Sequence, residues 1–191
     1  MIDRIGHTIA AVSSAAGAGA VGILRLSGPD ACRIAEGLIA VEGGLSALPG
    51  SRHRDGRLII DGNPSLPARV YTFRAPRSFT GEHVVEIFAP GSPPLLAMLR
   101  ETAVAAGALP ALPGEFTARA LLHGRMDLSQ AQAVAAVISA ESDTQLRAAR
   151  RMMDGALSRG ITAVRDELAE LLALVEADID FAEEPIEFIT P

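Results

Sequence analysis

A chain of 191 residues with 49% apolar and 21% charged residues is long and apolar enough to bury a full core, which excludes an intrinsically disordered segment. The formal net charge of −6 argues against a stand-alone nucleic-acid binder, whose affinity normally rests on a basic face. All 17 basic residues are arginine, and a Gly-Lys-Ser/Thr phosphate loop needs a lysine, so no Walker-type nucleotide site fits within these residues. The single Cys32 excludes an internal disulfide, and no Cys/His group has zinc-ligand spacing; a reducing, cytoplasmic setting is expected.

At the N-terminus, Arg4 stands ahead of apolar and small residues in imitation of a secretion signal. His7, Thr8, Ser13 and Ser14 interrupt that run, and no later stretch approaches the length of a membrane span, so a soluble chain is expected. Thr8 to Val12 and Val21 to Leu26 read as short apolar strands. Into the second of them runs Gly17-x-Gly19-x-x-Gly22, the spacing of a dinucleotide-binding loop. Such a loop must open a helix on its last glycine. Gly22 is followed instead by the strand-like "ILRLS" before Gly28 and Pro29, so the glycines read as a small-residue connection between strands. Residues 27–40 read as a helix with Ser27 or Gly28 near its N-cap and Pro29 in its first turn.

"GRLII" (56–60) and "ARVYTFR" (68–74) read as strands separated by the turn-rich "DGNPSLP", and "HVVEIFA" (83–89) alternates like another. "PPLLAMLRETAVAAGA" (93–108) carries helical spacing behind two prolines. After "LPALPGEFT" the strand signals vanish, and 117–181 reads as helices broken at "HGRMD", near Ser142, and near Gly155 or Gly160. The last helix places Ile161, Val164, Leu168, Leu171 and Val175 on one stripe that needs a partner. The expected architecture is α+β: a mixed strand/helix N-terminal domain over 1–116 followed by an all-α helical segment over 117–191.

Few side chains declare a chemistry. Arg25 between Leu24 and Leu26, and Glu86 between Val85 and Ile87, read from alternation alone as solvent-facing positions on half-buried strands. His7, His53, His83 and His123 lack paired spacing and read as surface or turn histidines. Arg147, Arg150 and Arg151 share a helix face that could touch phosphate, although a solvated face beside nearby acids is the plainer reading.

Taken together, "HTIAAVSSAAGAGAVGILRLSGPDA", "SFTGEHVVEIFAPGSP", "LPGEFTARALLHGRMDLSQAQAVAAVISAES", "GALSRGI" and "EADIDFAEEPIEF" resemble, in order, the N-terminal part of the MnmE (TrmE) tRNA modification GTPases. The resemblance implies an N-terminal domain that binds a tetrahydrofolate derivative (5-formyl or methylene) and mediates homodimerisation. The first part of a helical domain follows and ends about where a GTPase domain would be inserted. Potassium, magnesium and GTP would belong to that inserted domain, so this stretch is not expected to hydrolyse GTP alone. The resemblance further implies work with an MnmG-type flavoprotein on C5 of the wobble uridine of tRNA. The family's folate-contacting positions fall on Arg25, Glu86 and Arg125; no catalytic residue and no metal ligand is assigned.

The chain departs from the family pattern at three places. Arg125 stands where lysine is common, "FTGEH" with His83 replaces "FTGED", and "PGSP" with Pro90 and Ser92 replaces "HGGP". These departures leave open an alternative, a divergent relative that keeps the dimerising scaffold but not the ligand.

Overall fold

The computed structural model describes residues 4–45 and 52–180. It divides into two compact units, Met1–Met126 and Asp127–Pro191. The first is α+β and the second is helical. The division falls beyond the expected junction at 116. The helix over Glu115–Leu122 belongs to the first unit because its Glu115 and Arg119 are buried there, bonded to residues near the N-terminus and to Glu82.

In the first unit, β1 (Ile9–Val12), β2 (Gly19–Ser27), β3 (Ile39–Ala40), β4 (Arg52–Ile60), β5 (Asn63–Phe73), β6 (Val84–Gly91) and β7 (Leu109–Pro110) form one sheet. Their order is β3-β4-β5-β6-β2-β1-β7, antiparallel throughout except for the parallel β1–β7 edge. Helices α1 (Ala31–Glu36) and α2 (Pro93–Ala105) contribute to the core against one face of this sheet. Strand alternation sends Leu24, Leu26, Val70, Val85 and Ile87 into that core, where all are essentially inaccessible. The intervening residues Ile23, Arg25, Tyr71, Glu86 and Phe88 therefore share the opposite, half-exposed face.

The glycine motif proves to be strand and turn. Gly17 occupies positive φ at +105° in the β1–β2 connection, while Gly19 and Gly22 lie in β2 itself. A Cβ on Gly22 would come within 2.4 Å of the Leu96 side chain, so its bareness lets α2 settle on the sheet.

Two expectations are corrected. The helix expected over 27–40 is only the six residues of α1, and Ile39–Ala40 leave it to pair with Leu58 and Arg57 as β3. The stretch 61–67, expected as a long turn, is mostly strand. Asp61 (φ +50°) and Gly62 (φ +76°) alone make the hairpin turn between the paired Ile60 and Asn63. Pro64 and Pro67 are tolerated there because β5 pairs with β6 only over Arg69–Phe73, leaving its first half with one neighbouring strand.

Helix α3 (Glu115–Leu122) lies in the first unit; α4 (Leu128–Ile138), α5 (Asp143–Met153) and α6 (Ala156–Asp180) make up the second. Asp127 caps α4 reciprocally with Gln130, and Ser142 caps α5. Hydrogen bonds from Ser158 and Ser129 and from the Gln130 backbone hold the Asp127 carboxyl down at about 2. Gly155, at φ +72°, ends the α5 turn, whereas Gly160 continues inside α6. The expected apolar stripe is present on α6 and exposed, from 45% at Val175 to 60% at Ile161 and Leu168. The part of the "IDFAEE" stretch after Asp180 lies outside the described residues.

Candidate functional site

The antiparallel register of β2 and β6 sets Arg25 directly across from Glu86. Arg25 Nε donates to Glu86 Oε1 at 2.7 Å. The pair is neither solvent-facing nor sealed, with side chains 28% and 16% exposed. Among the described residues neither side chain makes another hydrogen bond, so the two terminal nitrogens of Arg25 and Oε2 of Glu86 stay available. Tyr71, paired with Glu86 from β5, continues the row across the sheet. Tyr71 in turn packs on Phe88, with ring centroids 4.9 Å apart. The Arg25 guanidinium carbon lies 5.9 Å from the centroid of Phe79 and 5.5 Å from that of Phe116. An ion pair with unused donors on one member and an unused acceptor on the other can receive a planar ligand that offers both kinds of group along one edge.

Arg125 follows α3 and is exposed; its Nε donates to the Ser78 carbonyl at 3.2 Å. That carbonyl adjoins Phe79, so the structure brings Arg25 and Glu86 into direct contact and ties Arg125 to the loop that supplies one of the flanking rings. Gly81, at φ +80°, makes this approach feasible, since a Cβ there would stand 3.0 Å from His123 Cβ and 3.4 Å from Arg125 Cγ. Two histidines fasten the same loop. His83 Nδ1 accepts from the Ala75 N–H at 3.2 Å, and His123 Nδ1 donates to the Thr80 carbonyl at 2.7 Å. A trough of about 460 Å³ on the same sheet face, lined by Val21, Tyr71, Phe88 and Pro90 among others, does not include Arg25, Glu86 or Arg125. Of the divergent positions, Pro90 therefore borders this trough, while His83 serves the loop. Among the described residues, no cluster of His, Cys, Asp and Glu is arranged to hold a metal ion.

Sequence reasoning missed the groups that hold this site in shape. Arg119, 3% exposed, donates to both oxygens of Glu82 at 3.0 Å, to the carbonyls of His7 and Arg4, and to Glu115 Oε1 at 3.1 Å. Ser27 Oγ donates to Glu82 at 2.6 Å and also meets Thr80 Oγ1 at 2.7 Å. Burial opposes ionisation of Glu115, but the Leu112 N–H and the Arg4 and Arg119 guanidiniums outweigh it and keep its carboxyl below the usual range. A Glu and an Arg four residues apart, within the otherwise apolar and small residues of 115–122, were the available signal. Phe79 and Phe116 were missed because nothing in a strand or helix period marks a ring that flanks an arginine from another element.

Comparison with known proteins places the chain in a family. The family described as "GTP-binding protein TrmE N-terminus" matches residues 8–125, and the MnmE helical domain matches residues 128–191. The two matches meet where the chain divides in space. Among curated relatives, a tRNA modification GTPase MnmE of Xanthomonas campestris pv. campestris (strain 8004) is 44% identical over 188 residues, covering 97% of this chain and 41% of its own length. The protein of the same name from Xanthomonas euvesicatoria pv. vesicatoria (strain 85-10) is 46% identical over 181 residues, covering 94% and 40%. That of Listeria innocua serovar 6a is 44% identical over 176 residues, covering 92% and 38%. The chain thus spans about two fifths of the length of these relatives, and among the described residues no helix is long and apolar enough to cross a membrane. With both family matches in sequence order on the two structural units, the chain belongs to the MnmE (TrmE) family of tRNA modification GTPases, of which it represents the N-terminal region.

Proposed function

We propose that the first unit binds a tetrahydrofolate one-carbon donor, 5-formyl or methylene, in support of modification at C5 of the wobble uridine of tRNA. The observation that carries this reading is the Arg25–Glu86 pair, joined by one 2.7 Å bond and otherwise unspent. A carboxylate oxygen accepts paired N–H donors from a pterin edge, and a guanidinium holds a carbonyl or carboxylate oxygen. Glu86 reads the ring, while Arg25 and Arg125 hold oxygens of the ligand. Arginine in place of the common lysine at 125 keeps the charge and changes the hydrogen-bond geometry.

The unit forms a homodimer, a role favoured by the half-exposed sheet face and by the β4–β5 hairpin, most of whose residues are exposed on both sides. The GTP hydrolysis of the whole protein, with its potassium and magnesium, and its work with an MnmG-type flavoprotein and tRNA, are assigned to residues other than these.

Calorimetric titration with 5-formyltetrahydrofolate tests the reading. The parent chain is expected to bind, and Arg25→Ala and Glu86→Ala are each expected to lose at least about tenfold in affinity, the scale of a charge-assisted hydrogen bond of roughly 1.5–3 kcal/mol. A folded, dimeric parent that takes up no folate would refute the assignment and favour the scaffold reading.

A further inference from the structure

A guanidinium held by a single bond at Nε can still swing, and a swinging donor edge recognises nothing sharply. Two phenylalanines bear on that freedom. Phe79 is 41% exposed, and neither it nor Phe116 is among the buried residues of the core, yet the Arg25 guanidinium lies over both rings at 5.9 and 5.5 Å. Each ring is held by its own anchors. On the loop, Ser78 Oγ donates to the Glu82 carbonyl at 2.6 Å, Arg125 holds the Ser78 carbonyl, and His123 holds that of Thr80, so the backbone is tied on both sides of Phe79. On α3, Phe116 follows the buried Glu115 and precedes the buried Arg119 by three residues, so the ion network fixes the turn that carries it.

We propose that Phe79 and Phe116 are positioning residues, an aromatic clamp that orients the Arg25 guanidinium by cation–π contact and leaves its two terminal nitrogens to a planar ligand bearing carbonyl or carboxylate oxygen. The proposal rests on the reading of Arg25 as a ligand contact. It is tested in two parts so that the two can fail separately.

In the ligand-free 191-residue chain, the Arg25 Nε–H resonance, assigned by its loss in Arg25→Lys, is expected to be displaced by ring current and slow to exchange. Phe79→Leu and Phe116→Leu each move it toward the position of a free arginine, and Phe116→Tyr, which keeps the ring face, leaves it in place. In the second part, each leucine variant weakens binding of 5-formyltetrahydrofolate by about two- to thirtyfold, the range of one cation–π contact, and the tyrosine variant restores it. An Arg25 resonance unmoved in folded leucine variants would overturn the clamp even if the parent binds folate. A parent that binds no folate, with the resonance responding as expected, would overturn the folate reading and leave the clamp standing.

Discussion

Replacing Arg119 by methionine keeps most of the volume and removes the charge at the centre of the buried network. Arg119 is 3% exposed and is the cation bonded to Glu82, whose side chain is 12% exposed. After the change, Glu82 retains only the Ser27 hydroxyl among its side-chain donors, and the carbonyls of Arg4 and His7 lose a donor each. Glu115 is better protected, since the Leu112 N–H at 2.7 Å and the Arg4 guanidinium remain. One carboxylate, not two, is therefore stranded. Breaking a buried pair from one side costs about 3–5 kcal/mol, and the residual access of Glu82 to water argues for the lower end, about 3 kcal/mol. Against a total of roughly 5–15 kcal/mol, that is a large loss.

Urea unfolding followed by tyrosine fluorescence measures it in the right place. The chain has no tryptophan and one tyrosine, Tyr71, which lies in the first unit against Phe88. With a slope of about 1–3 kcal/mol per molar urea, the midpoint is expected to fall by roughly 1–3 M. Adding Glu82→Gln to Arg119→Met should recover part of the loss, because the stranded charge is gone. An Arg119→Met midpoint equal to that of the parent, or a double variant as unstable as the sum of the singles, would refute the account of the network.

Two further expectations accompany the folate titration and the arginine resonance. Gly91→Ala should lower stability by about 1–3 kcal/mol, since its Cβ would stand 2.5 Å from the Gly19 carbonyl oxygen and 2.8 Å from the Gly19 carbonyl carbon, whereas Gly22→Ala should cost less because the atoms it meets are Leu96 side-chain tips that can turn; thermal unfolding ranks the two, and the reverse order contradicts the packing argument. For pH, Glu115 has its folded value below the ordinary 4.5, so its contribution is complete above that value and is lost as pH falls through the lower folded one; Tyr71-monitored stability should therefore drop on that acid limb, and Glu115→Gln should flatten it, while an unchanged limb would remove Glu115 as its source.

Much of the architecture was legible because it is written locally. Short apolar runs marked the core strands β1 and β2, alternation marked β6, the prolines at 93 and 94 opened α2, and the break at "HGRMD" separated α3 from α4. The failures came where a long-range partner overrode a local tendency. Ile39 and Ala40 continue a helical pattern, but Leu58 and Arg57 claim them as a strand. Pro64 and Pro67 look like turn residues, but a strand with a single neighbour accepts them.

The candidate site divides in the same way. The sequence by itself determined that the chain folds as an α+β unit followed by helices, that its glycines form no phosphate cradle, and, through its motifs, which family it joins. Alternation alone made Arg25 and Glu86 two unremarkable charges, 61 positions apart. Only the tertiary structure decided that β2 and β6 lie side by side in the register that sets one against the other, that Phe79 and Phe116 flank the guanidinium, and that Arg119 binds Glu82 and Glu115 out of water. The physical reason is that periodicity records which face of its own element a residue occupies, whereas an ion pair between strands depends on how two distant segments align, and that alignment is set by the packing of the whole sheet.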